Sequence, residues 1–187
     1  MLFTMTTQRL FVAIALPAPV RDELVALAQP LAGVNWTQPE KLHLTLRFLG
    51  DVPEEKIDSV MAHLATVRVE PFILPVEGVG VFPAKGPPRV VWIGVGHGHP
   101  RLHQLRQRVD DALLAAGLIE LDVHTFHPHA TLARCGADAT NPVTKWLVAH
   151  AEFVAPPFRV SAFDLYASEL RPAGAAHTLV RRFPLAN

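Results

Sequence analysis

Two short segments of this 187-residue chain carry the same side chains at the same spacing: His43-Leu44-Thr45-Leu46 and His129-Ala130-Thr131-Leu132. In an extended strand residues two apart point the same way, ~7 Å apart along the backbone, so each histidine shares a face with its threonine. An imidazole and a hydroxyl at that separation can reach two atoms of one bound phosphate, the hydroxyl donating to a non-bridging oxygen. Two such pairs facing each other across a cleft would surround a single phosphorus. In-line cleavage of a phosphodiester needs one proton taken from the incoming oxygen and another given to the departing one, on opposite sides of phosphorus. Histidine, with a pKa of ~6.5, suits both tasks. That chemistry requires no metal.

A lone His-x-Thr is ordinary decoration of a solvated strand face. Two copies, each followed by leucine and placed at the same point of two similar half-chains, argue against coincidence.

The strands that carry these residues must separate them from the core. Strict alternation puts Leu42, Leu44, Leu46 and Phe48 on one face and His43, Thr45 and Arg47 on the other. Phe48 is then expected in the core, as is Trp36, while Arg47 either touches substrate or pairs with a carboxylate. In the second copy His127, His129 and Thr131 share a face. Arg134 falls on the apolar parity, and joins them only if the strand ends or bulges near Cys135 and Gly136.

Around these strands the pattern alternates. Residues 9–16 read as a buried strand, and residues 19–32 as a helix with Val20, Leu24, Leu27 and Leu31 on one stripe. Asp51 can cap a helix that opens with Pro53, Glu54 and Glu55 and buries Ile57, Val60, Met61 and Leu64. Residues 72–82 and 89–95 are β-rich runs joined by a loop of prolines and glycine. A third helix has Leu102, Leu105, Val109, Ala112, Leu113 and Ala116 on one face and stops at Gly117. Asn141-Pro142 opens a short helix to about His150, and FRVSAFDLYASEL and TLVRRFPL close the chain as a pair of strands. The two halves share an order, which predicts one domain over residues 1–187 made of approximate repeats, 9–82 and 89–187.

Lys plus Arg equals Asp plus Glu at 17 each, so no overall field exists to hold a long run of nucleic-acid backbone. A phosphorylated substrate must be gripped locally. The single cysteine, Cys135, fits a reducing compartment, with cytoplasm as the default. Residues 9–19 imitate a signal peptide, but no Lys or Arg precedes Arg9, and a buried strand explains the run better. No apolar run approaches the ~20 residues that span a bilayer, so no membrane partner is expected. Neither a GxxxxGK[ST] phosphate loop nor a dinucleotide-type glycine fingerprint occurs, and no KxDG segment of nucleotidyl-transferring ligases, which argues against ATP-driven ligation.

The pair HLTL and HATL resembles the two HxTx signatures of the two-histidine phosphoesterases. RLFVAIALP, VNWTQPEKLHLTLRFLGDV, GVFPAKGPPRVVWIGV, FHPHATLAR and LYASEL…FPL extend the likeness over almost the whole chain. They resemble the RNA 2′,3′-cyclic phosphodiesterase branch, often called 2′-5′ RNA ligase. The resemblance implies an α+β fold with two lobes, antiparallel sheets around a central cleft and helices outside. It implies hydrolysis of 2′,3′-cyclic phosphate RNA ends to 2′-phosphates; some relatives also join RNA through 2′-5′ linkages without ATP. Beside it, no cofactor and no metal are expected, and the protein is expected to be a monomer. Carried over, the resemblance makes His43 and His129 the acid–base pair, Thr45 and Thr131 phosphate-oxygen donors, and Arg134 a cationic partner of the phosphate. We take His43 as the proton donor and His129 as the acceptor, although a nearly two-fold cleft can bind substrate either way round. Two other readings stand beside this one. A zinc-dependent hydrolase would use the His124, His127 and His129 cluster, for which Asp122 is the only nearby carboxylate; His97, His99 and His103 read as a turn entering a helix. A non-catalytic binder of RNA ends would use the motifs only to grip phosphate.

Overall fold

In the computed structural model, which describes residues 6–120, 125–171 and 174–186, nine strands and four α-helices form among the described residues. The strands are β1 (Thr7–Ala15), β2 (Val34–Trp36), β3 (His43–Pro53), β4 (Phe72–Phe82), β5 (Val90–Val95), β6 (His129–Cys135), β7 (Val154–Val160), β8 (Ala162–Arg171) and β9 (Gly174–Pro184). The helices are α1 (Ala18–Ala26), α2 (Glu54–Leu64), α3 (Pro100–Ala115) and α4 (Thr140–Ala149).

The strands run in the order β7-β4-β5-β6-β3-β1-β8-β9, with β2 on β6, and their pairings are antiparallel. The two-lobed α+β architecture expected from the sequence is present. Its two sheets are continuous through a narrow seam, where β3 meets β6 with Leu44 opposite Ala130. On either side of that seam the order mirrors itself: β3, β1, β8, β9 on one flank and β6, β5, β4, β7 on the other. Strand β4 follows the first motif in the chain yet lies beside β5, and β8 and β9 return from the end of the chain to lie beside β1.

Burial of aliphatic side chains holds helices to sheet. Leu44, Leu64, Ile93, Leu102, Leu105 and Leu113 have lost essentially all contact with water, each removing about 1.5–3 kcal/mol worth of apolar surface from solvent.

Local chemistry explains the departures from simple periodicity. Helix α1 ends at Ala26, short of the expected residue 32, because Pro30 disfavours helical geometry in the residue before it. Asp51 does not cap α2; it stays in β3 opposite Arg9. The Thr6 carbonyl receives the Glu54 N–H at 3.1 Å instead, so the strand ladder takes the place of a side-chain cap. Asn141 lies inside α4, which a short 3-10 turn at Ala137–Ala139 leads into. The expected single strand FRVSAFDLYASEL is divided at Ser161, β7 pairing with β4 and β8 with β1. No helix among the described residues is long and apolar enough to cross a membrane.

Candidate active site

The leucine that ends each repeated motif is a bulge residue. In β3, Thr45 pairs with Ala13 and Arg47 with Val12, leaving Leu46 as the extra residue. In β6, Thr131 pairs with Trp92 and Ala133 with Val91, leaving Leu132 in the same position. A bulge reverses the alternation beyond it. Leu46 and Arg47 therefore both turn into the protein, as do Leu132 and Ala133, and the next residues, Phe48 and Arg134, emerge on the face of the histidines.

This device corrects two expectations and meets a third. Phe48, expected in the core, is 68% exposed on the His43 side, with its ring 6.0 Å from Phe11. Arg47, given the parity of His43, is instead 9% exposed and points inward, where its Nη2 donates to the Glu120 carbonyl at 2.7 Å; of its two expected roles it takes the pairing with a carboxylate, its Nε lying 3.7 Å from Asp110. Arg134 pairs with Val90 and Asn35, is exposed, and shares the face of Thr131, the bulge falling three residues earlier than Cys135. Trp36 is only half-buried, packed at 5.4 Å against Trp146.

The leucine carbonyls that the bulges free from the ladder find donors elsewhere. Arg106 of α3 donates through Nη1 to the Leu46 carbonyl and lies 3.2 Å from Asp110. The Leu132 carbonyl accepts the Thr37 N–H at 2.8 Å.

Because Leu44 and Ala130 face each other and are both buried, the residues flanking them project from the opposite face. Stepping one residue either way sets Thr131 across from His43 and His129 across from Thr45. The four side chains thus gather at the seam between the lobes. Each imidazole is pinned the same way: His43 Nδ1–H donates to the Lys41 carbonyl and His129 Nδ1–H to the His127 carbonyl, both at 2.7 Å. A carbonyl can only accept, so in each neutral ring Nδ1 carries the proton and Nε2 is left with its lone pair.

The walls differ. The His43 ring lies 5.0 Å from Phe11, 6.5 Å from Tyr166 and 5.5 Å, edge-on, from His177. Burial in this wall pushes its pKa down from 6.5 to about 4; the Lys41 carbonyl opposes the shift, and the neighbouring His177 and His129 add to it. Tyr166 is braced from behind: its hydroxyl donates to Asp164 at 3.2 Å, and Asp164, 1% exposed, is held by Arg182 through two bonds of 2.8 and 2.9 Å. Burial and then the Asp164 charge push the tyrosine hydroxyl up to about 12, so it stays protonated. The His129 ring meets Phe82 at 5.1 Å, Trp92 at 6.3 Å and His127 at 6.1 Å. Trp92 lies flat over Gly80, where any added Cβ would sit 2.2 Å from the indole. Burial, and then His129 and His97, hold His127 below its usual range.

Sequence periodicity missed Phe11, Tyr166, His177, Phe82 and Trp92 as parts of the site. They reach it from β1, β8, β9, β4 and β5 through strand pairing that no local pattern encodes.

Of the remaining histidines among the described residues, only His97 comes near the motif pair. His99 stacks on Phe72 at 5.3 Å, His103 meets Phe126 edge-on at 5.5 Å, and His97 lies 5.5 Å from His127. His124 and Asp122 lie outside the described residues. Among the described residues no three His, Cys, Asp or Glu side chains converge as a metal ion would require.

Comparison with known proteins gives consistent matches. The family described as LigT-like phosphoesterase matches residues 14–92 and again 93–177, one motif in each stretch. A Thermus thermophilus protein named RNA 2′,3′-cyclic phosphodiesterase is 36% identical over 95% of this chain and 90% of its own length. An Aeropyrum pernix protein of the same name is 38% identical, the match covering 63% of this chain and 64% of that protein. Among solved structures, Escherichia coli LigT in its apo form superposes with a TM-score of 0.79 at 30% identity, covering 97% of this chain and 99% of LigT. The same LigT has been crystallised with 3′-AMP.

Proposed function

Because the chain belongs to the LigT-like phosphoesterases, we propose that it is an RNA 2′,3′-cyclic phosphodiesterase, converting cyclic phosphate ends to 2′-phosphates by two-histidine catalysis without a metal. The observation that carries this reading is the meeting of both His-x-Thr pairs at the lobe seam, each with its Nδ1 tied back and its Nε2 free.

The reaction follows from that arrangement. Thr45 and Thr131 donate to the non-bridging oxygens, and Arg134 supplies a fixed positive charge to the phosphorane as it forms; positioning and electrostatics of this kind provide most of the acceleration of phosphoryl transfer. Water attacks phosphorus opposite the 3′ oxygen. The new P–O bond forms as the P–O3′ bond breaks, one proton passing from water to an imidazole and another from the opposite imidazole to O3′. The depressed pKa of His43 favours the opposite assignment to the one taken from the sequence. A ring that is neutral in the ligand-free protein is ready to accept the proton from water, which leaves His129 to protonate the leaving oxygen. A 5′-hydroxyl attacking in place of water would give a 2′-5′ linkage with no need of ATP.

Two side chains break the near-symmetry of the cleft. Phe48 offers an exposed ring on which a base can stack, and Arg134 offers charge. The terminal base therefore lies toward Phe48 and the phosphate's charge toward Arg134. The protein works as a monomer in the cytoplasm, where Cys135 stays a free thiol.

The test is incubation with an RNA oligonucleotide ending in a 2′,3′-cyclic phosphate, with and without EDTA, products resolved by mass and by 2′- or 3′-specific chemistry. Chelator-resistant formation of the 2′-phosphate supports the reading. Activity lost with EDTA and restored by zinc would favour the metal hydrolase, and binding without turnover the passive binder.

A further inference from the structure

We propose that Lys41 and His177 form a second anion subsite beside His43, taking the phosphodiester one nucleotide upstream of the cyclic end. It rests on the RNA-end reading above and extends it from the reacting phosphate to the chain that carries it.

The start of β9 folds back over the start of β3. A Cβ on Gly174 would lie 3.9 Å from Lys41 Nζ, and the His177 ring stands perpendicular to His43 at 5.5 Å and edge-on to Phe11 at 4.9 Å. Two basic side chains thus crowd the flank of His43 that faces away from β6, where the His-x-Thr pairs already serve the reacting phosphate. Neither is answered by an acid. Lys41 has no ion-pair partner among the described residues, and His177 Nδ1 is shielded from solvent with no hydrogen-bond partner. On β8, the neighbour of β9, Glu169 is engaged by Arg171 at 2.7 Å and Asp164 by Arg182 at 2.8 Å. Burial, and then the Lys41 charge, hold His177 below its usual pKa, so the ring stands neutral beside the ammonium. An ammonium with no ion-pair partner and a ring with an unmet nitrogen stand on the same flank of His43, and an anion arriving there would be met by a charge-assisted hydrogen bond from Lys41 and by the His177 ring. In an RNA end the anion next along the chain from the cyclic phosphate is the upstream phosphodiester. With a formal net charge of +0, the chain has no broad field to hold RNA, so such local contacts must supply the grip.

The experiment compares kcat/KM for a nucleoside 2′,3′-cyclic monophosphate with that for a dinucleotide ending in the same cyclic phosphate, which adds a single phosphodiester. The wild-type protein is expected to prefer the dinucleotide. Lys41→Gln keeps most of the side-chain stem and the backbone carbonyl that holds His43, and should cut that preference roughly five-fold. The slope of log kcat/KM against log salt for the dinucleotide should become shallower by ~0.7, the value for one phosphate contact on a single strand. His177→Gln should also reduce the preference. Lys145→Gln on α4 removes a distant charge and should leave the preference as it is. An unaltered preference in both Lys41→Gln and His177→Gln would overturn the subsite, and so would equal losses on both substrates, which would mean that the two residues act only through His43. Wild-type protein inert toward both substrates would overturn the function and the subsite with it.

Discussion

The two motif strands share one backbone device and finish it with different side chains. In each, the leucine after the threonine bulges out of register, the following residue turns inward, and the next emerges beside the histidine. In each, the histidine Nδ1 is tied to the carbonyl two residues back. Beyond that they diverge. The emerging residue is Phe48 in β3 and Arg134 in β6. The bulge carbonyl is held by the Arg106 guanidinium in β3 and by a backbone N–H in β6. His43 is walled by Phe11, Tyr166 and His177, His129 by Phe82, Trp92 and His127. In the proposed reaction the shared backbone holds one phosphorus symmetrically, and the unshared side chains are what would set which way round the nucleotide lies and which imidazole takes the first proton.

The comparison breaks first at what the strands share. His43→Ala and His129→Ala should each lower kcat by about 10²–10⁴-fold, since either removes one of two required proton transfers; a steady-state assay in which one variant keeps wild-type turnover would dismiss the pairing. The bulge supports should then separate the lobes. Arg106→Met strips the Leu46 carbonyl and Asp110 of a buried cation and should cost about 3 kcal/mol, whereas Thr37→Pro deletes a single N–H and should cost about 1–2 kcal/mol, both read from urea unfolding.

Smaller effects test what the strands do not share. Arg134→Ala should lower kcat/KM by about 10–100-fold mainly through kcat, the loss of a charged hydrogen bond to the transition state. Phe48→Ala should act mainly on KM, by about 5–100-fold, the worth of one stacked base. The same split in both variants would mean that the two positions do the same job. Acid titration reads the same asymmetry through stability rather than rate. His43 takes up its proton near 6.5 in the unfolded chain and near 4 in the fold. Between those values the unfolded state binds more protons, so stability falls as pH is lowered from 6.5 toward 4. Thermal unfolding across that window should show a shallower pH dependence in His43→Gln than in the wild type.

Much of this was legible in the sequence, for reasons that lie in particular residues. The His-x-Thr pairs and the helices at Ile57–Leu64 and Leu102–Leu113 declare themselves because period 2 and period 3.6 are local properties. Phe48 and Arg47 were misplaced because a bulge changes parity by one residue, and nothing in HLTLRFLG marks where it falls; the need for a bulge was visible only at Arg134, whose chemistry clashed with its parity. Tyr166 and His177 were invisible as site residues because β8 and β9 return to β1 from the far end of the chain. The division of FRVSAFDLYASEL between lobes likewise depends on which edges stand open after the rest of the sheet has formed. Asp51 reads as a cap from its neighbours alone and is claimed by the strand ladder once Arg9 lies across from it.

The central claim is that two imidazoles flank one phosphorus, and a crystal structure of the protein with a nucleoside–vanadate complex tests it most directly. His43 Nε2 and His129 Nε2 should each lie within hydrogen-bond range, about 2.7–3.2 Å, of opposite apical oxygens, with the base over Phe48. Both rings on one side of the vanadium, or either ring out of reach of an apical oxygen, would contradict the account.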